Sequence, residues 1–186
     1  KRRLAKNYHR LGMAYDLSND TEATMIQFKF CASILTEIDS DGSEDLSTIN
    51  TLIGKLHLKN ANFLTAYVYF RHAADYLNKQ QDSFDEFISV DILMAECLLK
   101  SDNIEASTIK MDDIINKVID AYGDLIASQF ITENIIPIIE DTKAHKVYKK
   151  YAQKIIKLNP DADFFNGLKL YPQYSIKTFR FNLLEK

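Results

Sequence analysis

The chain has 186 residues, 46% of them hydrophobic and 26% charged, the balance of a globular protein able to bury one sizeable core or a stack of small ones. Its net charge of −3 gives no general attraction to nucleic acid or to an anionic membrane, and no run approaches the roughly 18 uninterrupted apolar residues of a membrane span. With only 5 glycines and 3 prolines, helix breakers are scarce and an all-α chain is expected.

Apolar residues recur with a 3.6-residue period over segments 2–18, 21–38, 46–58, 62–79, 84–100, 105–121, 124–140 and 143–158. The breaks at 18–20, 39–45, 59–61, 80–83 and 100–103 hold Asp, Asn or Ser, residues that favour caps and turns over helix interiors. This pattern predicts four helical pairs, at 2–38, 46–79, 84–121 and 124–158. They form a repeat domain over 1–160, followed by a helical tail or cap at 161–186. The first residue is Lys1, not Met, and the first apolar stripe starts without a recognisable cap, as expected of a fragment of a longer protein.

The first segment contains YHRLGMAY at 8–15, with Gly12 in a helix interior, where glycine costs about 1 kcal/mol relative to alanine. Offsets of twelve, sixteen and nineteen from Gly12 reach Thr24, Phe28 and Cys31. The same offsets from Gly54 reach Ala66, Phe70 and Ala73; from Ala95, Ser107, Met111 and Ile114; and from Thr132, Ala144, Tyr148 and Tyr151. The four reference positions are 42, 41 and 37 residues apart, an internal period that predicts stacked helix pairs. Gly12 opposite Thr24 and Phe28, and Gly54 opposite Ala66 and Phe70, are expected where the paired helices come closest and a side chain would hold them apart.

Tyr8, Leu11, Gly12, Tyr15, Phe28 and Cys31, followed by Ile53, Gly54, His57, Ala66, Phe70 and Ala73, resemble the tetratricopeptide repeat family. Asn50 stands where that family has an aromatic, Thr24 is larger than the usual alanine, and the third and fourth pairs lack the glycine. The resemblance spans residues 4–158, and spacings near 40 instead of 34 imply longer helices or loops. It implies a right-handed superhelix of antiparallel helix pairs, an α-solenoid whose first helices line a concave groove. By register the groove positions are Lys6, His9, Met13 and Asp16; Thr48, Thr51, Lys55 and Leu58; Ile92, Glu96 and Leu99; and Gln129, Glu133 and Ile136. That polar mixture with apolar knobs suits an extended peptide or a partner helix better than a nucleic acid. Members that clamp the carboxylate of chaperone tails use Lys, Asn, Asn, Lys and Arg. The matching positions here are His9, Met13, Leu52, Ser89 and Leu93, so that ligand is not expected.

The remaining signals read as structure. Cys31 and Cys97 lie in apolar helical patterns and are expected as reduced core thiols, which places the chain in the cytoplasm or nucleus. His9, His57, His72 and His145 lack metal-ligand spacing, and DSDGSEDL at 39–46 has Glu44 where a calcium loop needs glycine. Lys146, Lys150, Lys154 and Lys157 share one helix face, read as a solvated stripe. Pro137 is expected to kink its helix or to start a new one after Asn134. The aromatic tail is expected to cap the last pair or to fill a groove, that of a second chain if the protein dimerises.

No nucleophile–base motif or phosphate loop is present. The function expected is a non-catalytic protein- or peptide-interaction module that needs no cofactor or metal, with no direct contact to nucleic acid or membrane. The alternative is the peptide-sensing domain of a Gram-positive helix-turn-helix transcription regulator.

Overall fold

The computed structural model describes residues 1–38, 44–78, 84–142 and 144–160. Every element among the described residues is helical, with no strand: α1 (Arg2–Leu17), α2 (Thr21–Ile38), α3 (Glu44–Lys59), α4 (Phe63–Leu77), α5 (Phe84–Lys100), α6 (Ile104–Tyr122), α7 (Asp124–Phe130), a π-helical turn (Ile131–Ile135), α8 (Ile136–Thr142) and α9 (His145–Leu158). The described residues are therefore all-α. The tail at 161–186 and its expected roles lie outside the described residues, as do residues 39–43 of the acidic stretch. Two compact units are present, Lys1–Ile114 and Ile115–Lys186. In the first, each helix from α1 to α5 packs on the next; in the second, α9 packs on α7 and α8.

The turns carry the repeat. α1 ends with Asn19 N–H donating to Asp16 O and Asp20 N–H to Tyr15 O, the paired bonds of a Schellman motif, which satisfy carbonyls that the helix end leaves open. α3 ends on the same pair, Ala61 to Leu58 and Asn62 to His57, and α5 on Asp102 to Leu99 and Asn103 to Leu98. Asn19, Ala61 and Asp102 take left-handed φ of 58°, 58° and 63°. Asn and Asp tolerate that conformation; Ala61 adopts it at a cost of about 1 kcal/mol. The next helix then starts at once. Ala23 N–H bonds to Asp20 Oδ1 at 3.0 Å and Ala106 N–H to Asn103 Oδ1 at 3.3 Å, caps worth about 1 kcal/mol each.

Seven residues before each left-handed residue lies the reference position of its pair, Gly12, Gly54 or Ala95. All three are buried, and so are their partners on the second helix, Thr24, Ala66 and Ser107, then Phe28, Phe70 and Met111. A Cβ on Gly54 would stand 2.5 Å from Phe70 Cε1, and one on Gly12 would overlap Phe28 in the same way. The missing side chain lets the two helices close over a phenyl ring. In the third pair the reference residue grows to alanine and its partner shrinks to methionine, and the contact is tied by Ser107 Oγ donating to Ala95 O at 2.8 Å.

The fourth pair requires a correction of register. Ala144 N–H bonds to Ile139 O and Tyr148 N–H to Ala144 O, the bonds that Asp20 and Thr24 make in the first pair. The reference position is therefore Ile136, not Thr132, and the spacings become 42, 41 and 41. Ile136 is buried and faces the role of Gly12; Thr132 is exposed. Consequently Tyr148 takes the place of Thr24 and Ala152 that of Phe28, both buried. Matching bulky residues to bulky residues misplaced this pair by about one helical turn, because bulk has changed sides: Gly with Phe, Gly with Phe, Ala with Met, Ile with Ala. Volume across the contact is conserved while its two halves are not.

Pro137 follows Ile136, the first residue of α8, so a new α-helical segment begins after Asn134. It lies in the first turn of α8, where its missing N–H is tolerated, and the five residues before α8 widen into a π turn with Ile136 N–H reaching Ile131 O. Widening relieves the clash between a proline ring and the preceding turn.

At the α3–α4 contact His57 stacks on Tyr69, with ring centroids 5.4 Å apart, and its Nδ1 is buried without a hydrogen-bond partner. Burial, and then the charge of Lys29, hold the imidazole below its ordinary range. The unfolded chain therefore takes up this proton more readily than the folded one, so stability complete above about pH 6.5 is lost as the pH falls through the lowered folded value. A His57→Phe variant is expected to gain melting temperature on the native protein as the pH drops from 7.5 to 5.5; parallel melting curves would exclude this role.

Candidate binding cleft

A cleft lies in the first unit, between the N-terminal halves of α3 and α5 and the end of α4. It encloses about 390 Å³ and is lined by Ser47, Thr48, Thr51, Leu52, Lys55, Leu77, Asp85, Glu86, Ser89 and Val90. Leu77 and Val90 are buried and Leu52 half-buried, so they form an apolar floor; Thr48, Lys55, Asp85, Glu86 and Ser89 are exposed at the rim. A smaller dent of about 20 Å³ is lined by Ala5, Lys6, His9, Cys31, Leu35, Asp45, Thr48 and Ile49, with Thr48 common to both. Successive first helices contribute Lys6 on α1 to the dent, Thr48 on α3 to both hollows and Ser89 on α5 to the cleft. These three residues sit six before Gly12, Gly54 and Ala95.

Of the groove residues expected from register, the structure gathers Thr48, Thr51 and Lys55 in the main cleft and Lys6 and His9 in the dent. Met13 and Asp16 lie on α1 outside both. Ile92 is half-buried off the lining, and Glu96 is paired with Lys100 at 2.9 Å. Leu58 and Leu99 are not groove residues. Leu58 packs on the core around Ala66, Phe70 and Val90, and Leu99 is 5% exposed, because the last turn of each first helix is where its carbonyls close the Schellman turn against the pair. Gln129 and Glu133 lie in the second unit, where Gln129 Nε2 donates to Glu133 Oε1 at 2.9 Å. Ile136 is a core residue for the reason given above.

Register alone missed the contributions of α4 and α5, namely Leu77, Asp85, Glu86, Ser89 and Val90. Ser89 was legible as the third member of the Lys6–Thr48 row, although it enters the sequence comparison only as a failed clamp position. Leu77 could not be read, because it reaches the cleft from a second helix.

Serine and threonine hydroxyls, one lysine and two carboxylates surround an aliphatic floor, and the hydroxyl of Ser89 is engaged with Asp85 O at 2.8 Å. Neither cysteine offers a nucleophile: burial, then Asp45, pushes the Cys31 thiol up to about 11, and burial, then Glu96, pushes Cys97 up to about 12. Both are free and buried. On α9, Lys150 Nζ lies 5.3 Å from the Tyr151 ring centroid and Lys154 Nζ donates to Asn116 at 3.4 Å, while Lys146 and Lys157 are solvated. Among the described residues no group of three His, Cys, Asp or Glu side chains could hold a metal ion, and no helix is long and apolar enough to cross a membrane. Compared with known proteins, the chain matches no family model and no curated protein.

Proposed function

We propose that the chain is a non-catalytic interaction module, a tetratricopeptide-like superhelix that holds an extended peptide or a helix of a protein partner against its first helices. The observation that supports this is the cleft, in which equivalent positions of successive pairs, Thr48 and Ser89, line one hollow with Thr51 and Lys55. Its volume of about 390 Å³ lies at the small end of ligand pockets and accommodates a few side chains of a longer chain. Apolar side chains would enter over Leu52, Leu77 and Val90. Lys55 on one rim and Glu86 on the other would fix the direction of the ligand by charge.

A second reading is favoured by the spacing of 42, 41 and 41 residues, longer than the 34 of the common repeat. It is the sensor domain of a Gram-positive helix-turn-helix regulator, with a short signalling peptide in the same cleft.

Panning a random peptide display library on the full chain tests both readings, with counter-selection on a Thr51→Arg/Ser89→Arg variant whose melting curve matches the native one. A consensus recovered by the native protein alone is expected. Enrichment without a consensus, or equal enrichment on both proteins, overturns the cleft as the site. Retention of affinity when the consensus is trimmed to a free peptide of under about ten residues would select the sensor reading.

A further inference from the structure

Among the described residues six polar side chains are buried: Thr24, Ser47, Asn50, Asp91, Ser107 and Ser128. Five are held inside the fold. Thr24 donates to Asp20 O, Asn50 to Leu46 O, Ser107 to Ala95 O and Ser128 to Leu125 O, and Asp91 pairs with Lys110. Ser47, 3% exposed, has no hydrogen-bond partner among the described residues, and it lines the cleft. Its neighbours on α3 repeat the pattern. Thr36, Thr108, Thr132 and Thr142 turn their hydroxyls back to a carbonyl of the preceding turn, the usual engagement of threonine within a helix. Thr48 and Thr51, also in the lining, make no such bond among the described residues. A buried hydroxyl is costly unless a partner meets it, and the cleft is where a partner can reach Ser47.

The charges of the lining lie at opposite ends of this row of hydroxyls. Lys55 follows Ser47 by eight residues, on the same face of α3. Glu86 stands three residues before Ser89, the equivalent of Thr48, so by register it lies at the other end, level with Asp45. Neither Lys55 nor Glu86 enters an ion pair among the described residues. The register difference between them is about 15 Å of helical rise, which about four or five residues of extended chain span at roughly 3.3 Å each. We infer that the cleft takes an extended peptide segment whose main chain is held by the Ser47 hydroxyl, with a basic residue at Glu86 and an acidic residue at Lys55, about four positions apart. The inference rests on the cleft being the binding site and adds what that site selects. Ser47 is both donor and acceptor, so it meets a peptide N–H or C=O whatever the side chain. The floor of Leu52, Leu77 and Val90 takes the side chains between the two charges. A sugar would leave that floor uncovered, and a nucleic acid would bring phosphates against Asp85 and Glu86.

The probe is the consensus peptide recovered by panning a random display library on the full chain, synthesised with both ends capped. Its affinity is measured by fluorescence anisotropy for the native chain and for Ser47→Ala, Lys55→Glu and Glu86→Lys variants. The consensus should carry one basic and one acidic residue about four positions apart. Lys55→Glu should weaken binding by about tenfold, and a peptide with its acid replaced by lysine should bind that variant better than it binds the native chain. Glu86→Lys should show the converse preference for a peptide with its base replaced by glutamate. Ser47→Ala should weaken binding several-fold without lowering the melting temperature, because the hydroxyl it removes has no partner in the fold. A consensus without the charge pair, or a Ser47→Ala variant that melts lower and binds as before, overturns the inference and leaves the cleft as the site. Recovery of no consensus at all overturns it together with the cleft.

Discussion

Gly54→Ala should destabilise the chain by about 1–3 kcal/mol, and adding Phe70→Met should return most of the loss. The ground for the first half is geometric. A Cβ at Gly54 lands 2.5 Å from the edge of the Phe70 ring, and that ring is fully buried, so neither partner can step aside cheaply. An alanine would gain about 1 kcal/mol of helix propensity over glycine, and the overpacking must exceed that gain. The ground for the second half is the third pair, where the reference position holds alanine and the position equivalent to Phe70 holds methionine at 111, both fully buried. Phe70→Met alone should also destabilise, by leaving a void against glycine. The two single changes are therefore each unfavourable and jointly close to neutral, a coupling that a double-mutant cycle of urea melts reads directly. Additive losses would mean that the exchange of bulk across the four pairs is accidental.

That exchange also accounts for what could and could not be read from the sequence. Helix positions were legible to within one or two residues, since the 3.6-residue period and the Asn, Asp and Ser punctuation are local signals. Gly12 and Gly54 announced close contacts because a buried glycine in a helix has few other reasons to be there. The fourth pair was misplaced because its contact is made by the opposite distribution of volume, Ile136 with Ala152, and a sequence match scores residue types one at a time while packing conserves their sum. The π turn before Pro137 had no signal of its own; proline marks a disturbance without stating how the backbone absorbs it. The cleft was half legible. Its first-helix rows followed from register, but Leu77 enters from α4, and the burial of Leu99 is set by how the end of the first helix meets its pair, which one-dimensional periodicity does not carry.

Lys110→Met should cost about 2–4 kcal/mol, the largest effect expected of any charge substitution in the chain. Asp91 is 1% exposed in the apolar stripe of α5, and its carboxylate pairs with Lys110 of α6, whose side chain is 22% exposed. Removing the cation leaves its other contacts in place but takes away the charge that offsets a carboxylate buried among hydrocarbon. Since Lys110 is itself partly solvated, the expected loss lies at the lower side of that for a fully buried pair. The repeat supplies the control. Asn50 holds the same register position on α3, is buried, and donates its amide to Leu46 O, one turn back, at 2.8 Å. Asp91→Asn can donate in the same way to the carbonyl of Phe87, so it should be tolerated. In that background Lys110→Met should cost under about 1 kcal/mol. Because the pair is shielded from solvent, the native advantage over Lys110→Met should persist in melts at about 0.5 M salt, where exposed pairs such as Lys1–Glu37, at 3.1 Å, are screened. A Lys110→Met variant as stable as the native chain, or a loss undiminished in the Asp91→Asn background, would mean that the ion pair does not balance the buried acid and that α5 and α6 are held by packing alone.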